Sequence, residues 1–301
     1  GNAPRQAAGR PDPMGDGAPR RCPHERSPMN YRKKFLVEPG ASVHLDELDP
    51  ASTGKHESEN DAKAEIVDDL NRLGKLQYRL YAEHERSVLI VLQALDAGGK
   101  DGTVRHVFRA FNPQGANVHA FKVPTPEEAA HDFLWRAHAA TPARGHIAIF
   151  NRSHYEDVLV ARVHGLVSED VWTKRYDRIN EFEKNLAQAG THILKFFLHI
   201  SPDEQLRRFK KRLDDPQSWW KLNESDYAER KHWDDYRKAY EDVLERCSTK
   251  RAPWYVIPAN HVVPQPRRRA HRRRHAGRPR LATPQARRGH RRDPPRVRGR
   301  G

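Results

Sequence analysis

Between Asp61 and Glu83 apolar residues recur at Ile66, Leu70, Leu73 and Leu80, with polar residues between them, which is the period of one helix face. The rhythm then changes. Five short runs, Val88–Leu92, Val118–Val123, His146–Phe150, His192–Ile200 and Trp254–Pro258, are rich in β-forming residues and mostly apolar instead of alternating. Strands of that kind are buried on both faces. The stretches Val104–Phe111, Pro126–Ala139, Val171–Leu186 and Pro202–Leu213 read as helices. The last has a marked start, because Ser201-Pro202-Asp203-Glu204 combines an N-cap serine, proline at N1 and glutamate at N3. Strands alternating with helices predict a three-layer α/β domain, with a five-stranded parallel sheet and the ligand at the carboxyl ends of its strands.

Composition narrows the class of protein. The chain has 301 residues, two cysteines (Cys22 and Cys247) and a formal net charge of +15. Two cysteines make no disulfide framework, and no Cys/His cluster has zinc-ligand spacing. The longest apolar run, Val88–Leu92, is far short of the roughly 20 residues of a membrane span. With no apolar signal segment at the N-terminus, a cytoplasmic protein without a membrane partner is expected.

A pI near 10 ordinarily points to a polyanionic partner such as nucleic acid. Here the charge sits outside the predicted domain. Pro264–Gly301 holds 15 Arg and one acid, and residues 1–28 hold five Arg and three acids, which leaves −1 for residues 29–263. All 25 aromatic residues also lie between Tyr31 and Tyr255. Residues 264–301 carry too little apolar surface to offset chain entropy and read as a disordered Arg-rich tail. The abrupt change at Pro264 has the character of a frame shift that replaces a native C-terminal helix. Residues 1–28 read as a disordered or non-native extension, with Met29 as the expected native start. Nucleic acid is not expected as the partner, although a polyanion-binding arm is the alternative for the tail.

Directly after the first buried run comes Gln93-Ala94-Leu95-Asp96-Ala97-Gly98-Gly99-Lys100-Asp101-Gly102-Thr103, followed by a helix. Holding a phosphate calls for this arrangement. Glycine lets the backbone approach, the amides of a helix N-terminus face the anion, and Lys100 adds a full charge. Gly98, Gly99, Asp101, Gly102 and Thr103 are the phosphate-binding candidates. The loop departs twice from GxxxxGK[ST], with Ala94 in place of the first glycine and Asp101 in place of the hydroxyl. An acid among phosphates is repelled unless a cation intervenes, so Asp96 predicts a bridging Mg²⁺. An ordinary Gly-Gly-Lys turn, with Asp96 as a turn-capping residue, is the plain alternative.

Phe150-Asn151-Arg152-Ser153-His154-Tyr155-Glu156-Asp157 closes the third run. Arg152 is always cationic and shaped for phosphate, with a surface ion pair as its alternative role. Asn151 brings no charge where P-loop enzymes carry a magnesium-organising acid. His154 reads as structural.

These two motifs, with Asn112-Pro113-Gln114-Gly115 and His131-Asp132-Phe133-Leu134-Trp135-Arg136, make the chain resemble the second family of polyphosphate kinases. Members are P-loop phosphotransferases that move phosphate between inorganic polyphosphate and nucleotides. The resemblance runs from about Tyr31 to His261. It implies a P-loop kinase fold with a helical lid at about 205–247, Mg²⁺ as cofactor and a homo-oligomer. By position, Asp96 and Lys100 match the family's loop acid and lysine, and Arg152 its strand-end arginine; these are the catalytic candidates, with Asp96 on the metal. The basic helix from Gln205 to Leu213 matches the lid, which sets Arg207, Arg208, Lys211 and Arg212 along a polyphosphate channel, where a solvated basic face is the alternative. The Asn-Arg-Ser-His-Tyr-Glu-Asp version resembles the subgroup accepting AMP and ADP, with GDP a further acceptor. Helical spacing of Trp233, Tyr236 and Tyr240 predicts packing, and Trp219 and Trp220 are candidates to stack on a base. The other functional readings are an ATP-dependent nucleoside monophosphate kinase on the same scaffold and a nucleic-acid-binding protein acting through the tail.

Overall fold

The structure is a computed structural model that describes residues 31–261 except 55, 57, 58 and 222–226. The expected extension 1–28 and tail 264–301 lie outside the described residues. Five strands, β1 (Ser87–Gln93), β2 (Ala116–Ala120), β3 (Ile147–Asn151), β4 (Thr191–His199) and β5 (Trp254–Pro258), form one parallel sheet in the order β2-β3-β1-β4-β5. β1 is central. It pairs with β3 from Val88 opposite Ile147 to Leu92 opposite Asn151, and with β4 from Ser87 opposite Thr191 to Gln93 opposite Phe197.

The side chains of β1 alternate between two cores, which explains its unbroken apolar run. Leu89 and Val91 pack with Phe150, Ile179, Val243 and Trp254 on one face. Ile90 and Leu92 pack with Ile149, Val104 and Phe108 on the other. From β3 the chain crosses to β4 on the far side of β1, and a reversal of that kind opens a crevice at the carboxyl ends of the strands.

The helices are α1 (Tyr31–Phe35), α2 (Glu59–Glu83), α3 (Lys100–His106), α4 (Pro126–Ala129), α5 (Trp135–Ala139), α6 (Val160–Val163), α7 (Glu169–Gln188), α8 (Pro202–Leu213) and α9 (Trp233–Cys247). Among the described residues no helix is long and apolar enough to cross a membrane.

Two elements differ from the sequence expectation. The second strand lies at Ala116–Ala120 instead of Val118–Val123, because its register is set by the five residues of β3 and ends opposite Asn151. The stretch Pro126–Ala139 is two helices. Asp132 interrupts it by accepting the Leu134 amide on its side chain at 2.9 Å, a local bond that competes with helix continuation. Helix α9, which falls within the stretch 205–247 expected as a lid, buries Tyr236, Ala239, Tyr240, Val243, Leu244 and Cys247 in the main core, the packing predicted from the spacing of its aromatic residues. Trp219, which was a stacking candidate, is 57% exposed, with its indole N–H on the Leu213 carbonyl.

The Ser201 start is as read: its hydroxyl accepts the Glu204 amide at 3.2 Å. Glu204 then turns forward along the helix, taking Arg207 and Arg208 at 2.6 Å each.

Candidate active site

The loop Ala94–Gly99 carries the chain from the carboxyl end of β1 into α3. Its tight path needs left-handed backbone at Ala97 (φ 59°) and Gly99 (φ 104°). At Gly98 any side chain is excluded, since a Cβ would stand 2.5 Å from the Ala94 Cβ and 2.7 Å from the Leu95 carbonyl. No side chain caps α3, so its first amides are available to an anion. The Thr103 hydroxyl is turned inward, donating to the Gly99 carbonyl at 3.2 Å.

Lys100 folds back over this loop. Its Nζ donates to the carbonyls of Ala94 (2.6 Å) and Leu95 (3.3 Å). Burial, and then the adjacent Arg152 charge, push its pKa down to about 8. Lys100 is therefore a titrating cation on this loop. We expect kcat/KM for a phosphate donor to fall as pH rises through about 8, because the neutral amine offers no charge to the anion. Lys100→Arg, which cannot lose its proton there, is expected to remove that limb from the pH–rate profile.

Arg152 also stands in left-handed backbone (φ 60°), with its amide on the Leu92 carbonyl at 3.1 Å. That turn sends the guanidinium across the crevice, to 2.6 Å from Asp96 Oδ1 and 3.5 Å from Glu156 Oε2. Burial works against its charge, but the carboxylates of Glu156 and Asp96 outweigh it and hold Arg152 firmly protonated. Glu156, which also accepts from Gln93 Nε2 at 3.1 Å, is shifted upward by burial. Asn151 donates to Asp101 Oδ1 at 2.8 Å, joining the end of β3 to the first turn of α3.

The four lid cations divide. Arg208 is only 14% exposed and grips the phosphate loop itself, donating to the Ala97 carbonyl at 2.9 Å as well as to Ala259 O and Glu204. Gln205 beside it donates to the Asp96 carbonyl at 2.8 Å and accepts from Arg230 at 2.7 Å. Arg212 faces the cleft. Arg207 is paired with Glu204 and 64% exposed, and Lys211 is exposed. The donors of Arg208 are thus taken by the Ala97 and Ala259 carbonyls and the Glu204 carboxylate, and the side chain supports the loop.

Together these groups line a cleft of about 700 Å³, walled by Asp96, the loop from Ala97 to Gly102, Asn151, Arg152 and Arg212. The residues brought together include Asp96, Lys100, Asp101, Arg152 and Arg212. Glu156, Gln205 and a cluster of His164, Glu229 and Tyr236 at the cleft edge were not singled out from sequence. In that cluster the Tyr236 hydroxyl donates to Glu229 at 2.9 Å, and His164 Nε2 lies 3.0 Å from the same oxygen. Glu156 had a signal, since it lies four residues after Arg152 in the same motif; the others had none.

The remaining two motifs are structural. Asn112 caps its own turn just before β2, accepting the Gln114 amide at 3.0 Å. Arg136 ties the exit of β2 through the Lys122 carbonyl at 2.8 Å and pairs with Asp157 at 3.7 Å.

A Gly-rich turn between the central strand of a parallel sheet and a helix, facing a cleft lined by Lys100, Lys122, Arg152 and Arg212 together with Asp96, Asp101 and Glu229, defines the P-loop kinase class. Comparison with known proteins narrows this further. Residues 56–270 match the family described as polyphosphate kinase 2 (PPK2), to which this chain belongs. An AMP/ADP-polyphosphate phosphotransferase of Meiothermus ruber is 54% identical over 229 residues, covering 76% of this chain and 86% of that one. An ADP-polyphosphate phosphotransferase of Rhodopseudomonas palustris is 44% identical over 240 residues, covering 76% and 83%. The crystal structure of polyphosphate kinase 2 from Arthrobacter aurescens superimposes with a TM-score of 0.71 at 46% identity, covering 73% of this chain and 80% of that one.

Proposed function

We propose that this protein transfers phosphoryl groups between inorganic polyphosphate and nucleotides, raising AMP to ADP and ADP to ATP. The observation that carries the reading is the convergence of Lys100, Arg152 and Arg212 on one cleft that also holds Asp96 and Asp101. The names of the relatives support the same substrates, and GDP is a further acceptor to test.

In the forward direction a terminal phosphate oxygen of the nucleotide attacks the end phosphorus of the polyphosphate chain. The P–O bond to the next phosphate breaks in line, and its electron pair leaves with the shortened chain. Lys100, staying protonated, would turn its N–H donors from the Ala94 and Leu95 carbonyls towards the transferred group, and the Arg152 guanidinium faces the charge that spreads over that group's oxygens. Arg212 lines the α8 side of the cleft, where a bound donor would be shielded from water that would hydrolyse it.

The residues present fit Mg²⁺. Asp96 and Asp101 are hard oxygen donors on the cleft wall, and each has one carboxylate oxygen, Oδ2, besides the Oδ1 that accepts from Arg152 or Asn151. An ion held by these two carboxylates would keep water and phosphate ligands, as Mg²⁺ prefers, and would supply charge neutralisation when bound. The proposal places the enzyme in the cytoplasm as a homo-oligomer, for which exposed Val67 and Tyr78 on one face of α2 offer apolar surface.

The test is product analysis by chromatography with polyphosphate as sole donor and AMP or ADP as acceptor. ATP formed from ADP is the expected result. Turnover with ATP as the only effective donor would replace this reading with a nucleoside monophosphate kinase.

A further inference from the structure

Directly beneath the Arg152 turn lies a set of buried polar groups that the transfer chemistry does not use. Lys195, in the middle of β4, is fully buried, as are Tyr155 and His154, and Glu183 on α7 is 1% exposed. All three ammonium protons of Lys195 are placed: on Glu183 Oε2 at 2.6 Å, the Tyr155 hydroxyl at 2.8 Å and the Cys247 carbonyl at 2.7 Å. The Tyr155 hydroxyl donates in turn to Glu183 Oε1 at 2.8 Å. The rings of Tyr155 and Trp254 stand 5.3 and 5.2 Å from the ammonium. Burial raises the Glu183 carboxyl, but Lys195 outweighs it and keeps the group below its ordinary range. His154 Nε2 is 3.4 Å from Glu183 Oε1 without hydrogen-bond geometry, and burial holds that ring neutral.

Stability alone is a poor reason for such a cluster. Desolvation costs several kcal/mol per ion, and apolar residues of similar volume often replace a buried pair without loss. Its placement gives another reason. Tyr155 belongs to the short helical turn His154–Asp157, which follows Arg152 and carries Glu156, and the Ser153 hydroxyl accepts the Tyr155 amide at 3.2 Å. Bonding Tyr155 to α7 and β4 pins this turn to two rigid elements, while Arg152 at its start holds an unfavourable left-handed backbone.

We propose that Lys195, Glu183 and Tyr155 form a positioning device that sets Arg152 and Glu156 against Asp96. The inference rests on the phosphotransfer reading for its kinetic arm only. Its test is a triple variant, Lys195→Met with Glu183→Leu and Tyr155→Phe, which fills the space with apolar groups. The expected result is a folded protein melting within a few degrees of the parent, with kcat lowered by about 100-fold and both KM values little changed, the effect of misplacing a reacting group by about 1 Å. In nitrogen-detected NMR the Arg152 Nε–H signal, assigned through its loss in Arg152→Lys, is expected to shift and broaden.

Tyr155→Phe alone covers the case in which the triple variant does not fold. It removes one hydroxyl, and is expected to shift the same signal and lower kcat by about threefold to tenfold at constant KM. A folded variant with an unchanged Arg152 signal, or with parental kcat, overturns the proposal. An inactive parent would instead overturn the phosphotransfer reading, and the NMR arm would still decide this one.

Discussion

Lys100→Ala is expected to lower kcat by about 10²–10³, the usual effect of removing a preorganised charge partner from a transition state. The fold should survive the change. The ammonium is held by two loop carbonyls, Ala94 and Leu95, and its burial already disfavours the charged form. Water can solvate those carbonyls once the side chain is gone, because the loop borders the cleft. Circular dichroism melting alongside steady-state kinetics separates the two effects. Near-parental turnover by a folded Lys100→Ala would remove Lys100 from the chemistry.

The second large effect is expected at Arg152. A lysine there has one ammonium where the guanidinium reaches both Asp96 Oδ1 and Glu156 Oε2, so Arg152→Lys should cost about 10²-fold in kcat despite keeping the charge. Glu156 should also change its titration. Arg152 lowers the pKa of this buried carboxyl, so weakening that contact raises it further, and proton uptake by the variant should begin at higher pH than in the parent. The backbone gives an independent check. At φ 60° glycine is relaxed where alanine is strained, so Arg152→Gly should melt above Arg152→Ala although both lack the cation. Equal activity in Arg152→Lys and the parent, measured by initial rates, would show that the fork geometry is unused.

The sheet and the loop were legible in the sequence because burial on both faces leaves a continuous apolar run, and because Gly98 admits no substitute. Legibility failed where long-range partners decide a residue's role. Nothing in the basic helix separates Arg208 from Arg212. One reaches carbonyls 111 and 51 residues away, while the other faces the cleft. The aromatic spacing of α9 predicts packing but not the partner, which is the core that also holds Phe197 of β4 and Trp254 and Val256 of β5. Asp132 broke a helix through a side-chain bond that composition does not display. The single lysine in the run His192–Ile200 was the one visible trace of the buried cluster, and its meaning depends on Glu183, which lies on a different element.

The grip of Gln205 and Arg208 on the carbonyls of Asp96 and Ala97 has a consequence for engineering. Both acceptors are main-chain carbonyls, so a chimaera that takes the phosphate loop from one relative and α8 from another keeps these contacts wherever the transplanted helix carries glutamine and arginine at these two positions. The link between loop and helix, across about a hundred residues of sequence, thus depends on the side chains of the helix and only on the backbone of the loop.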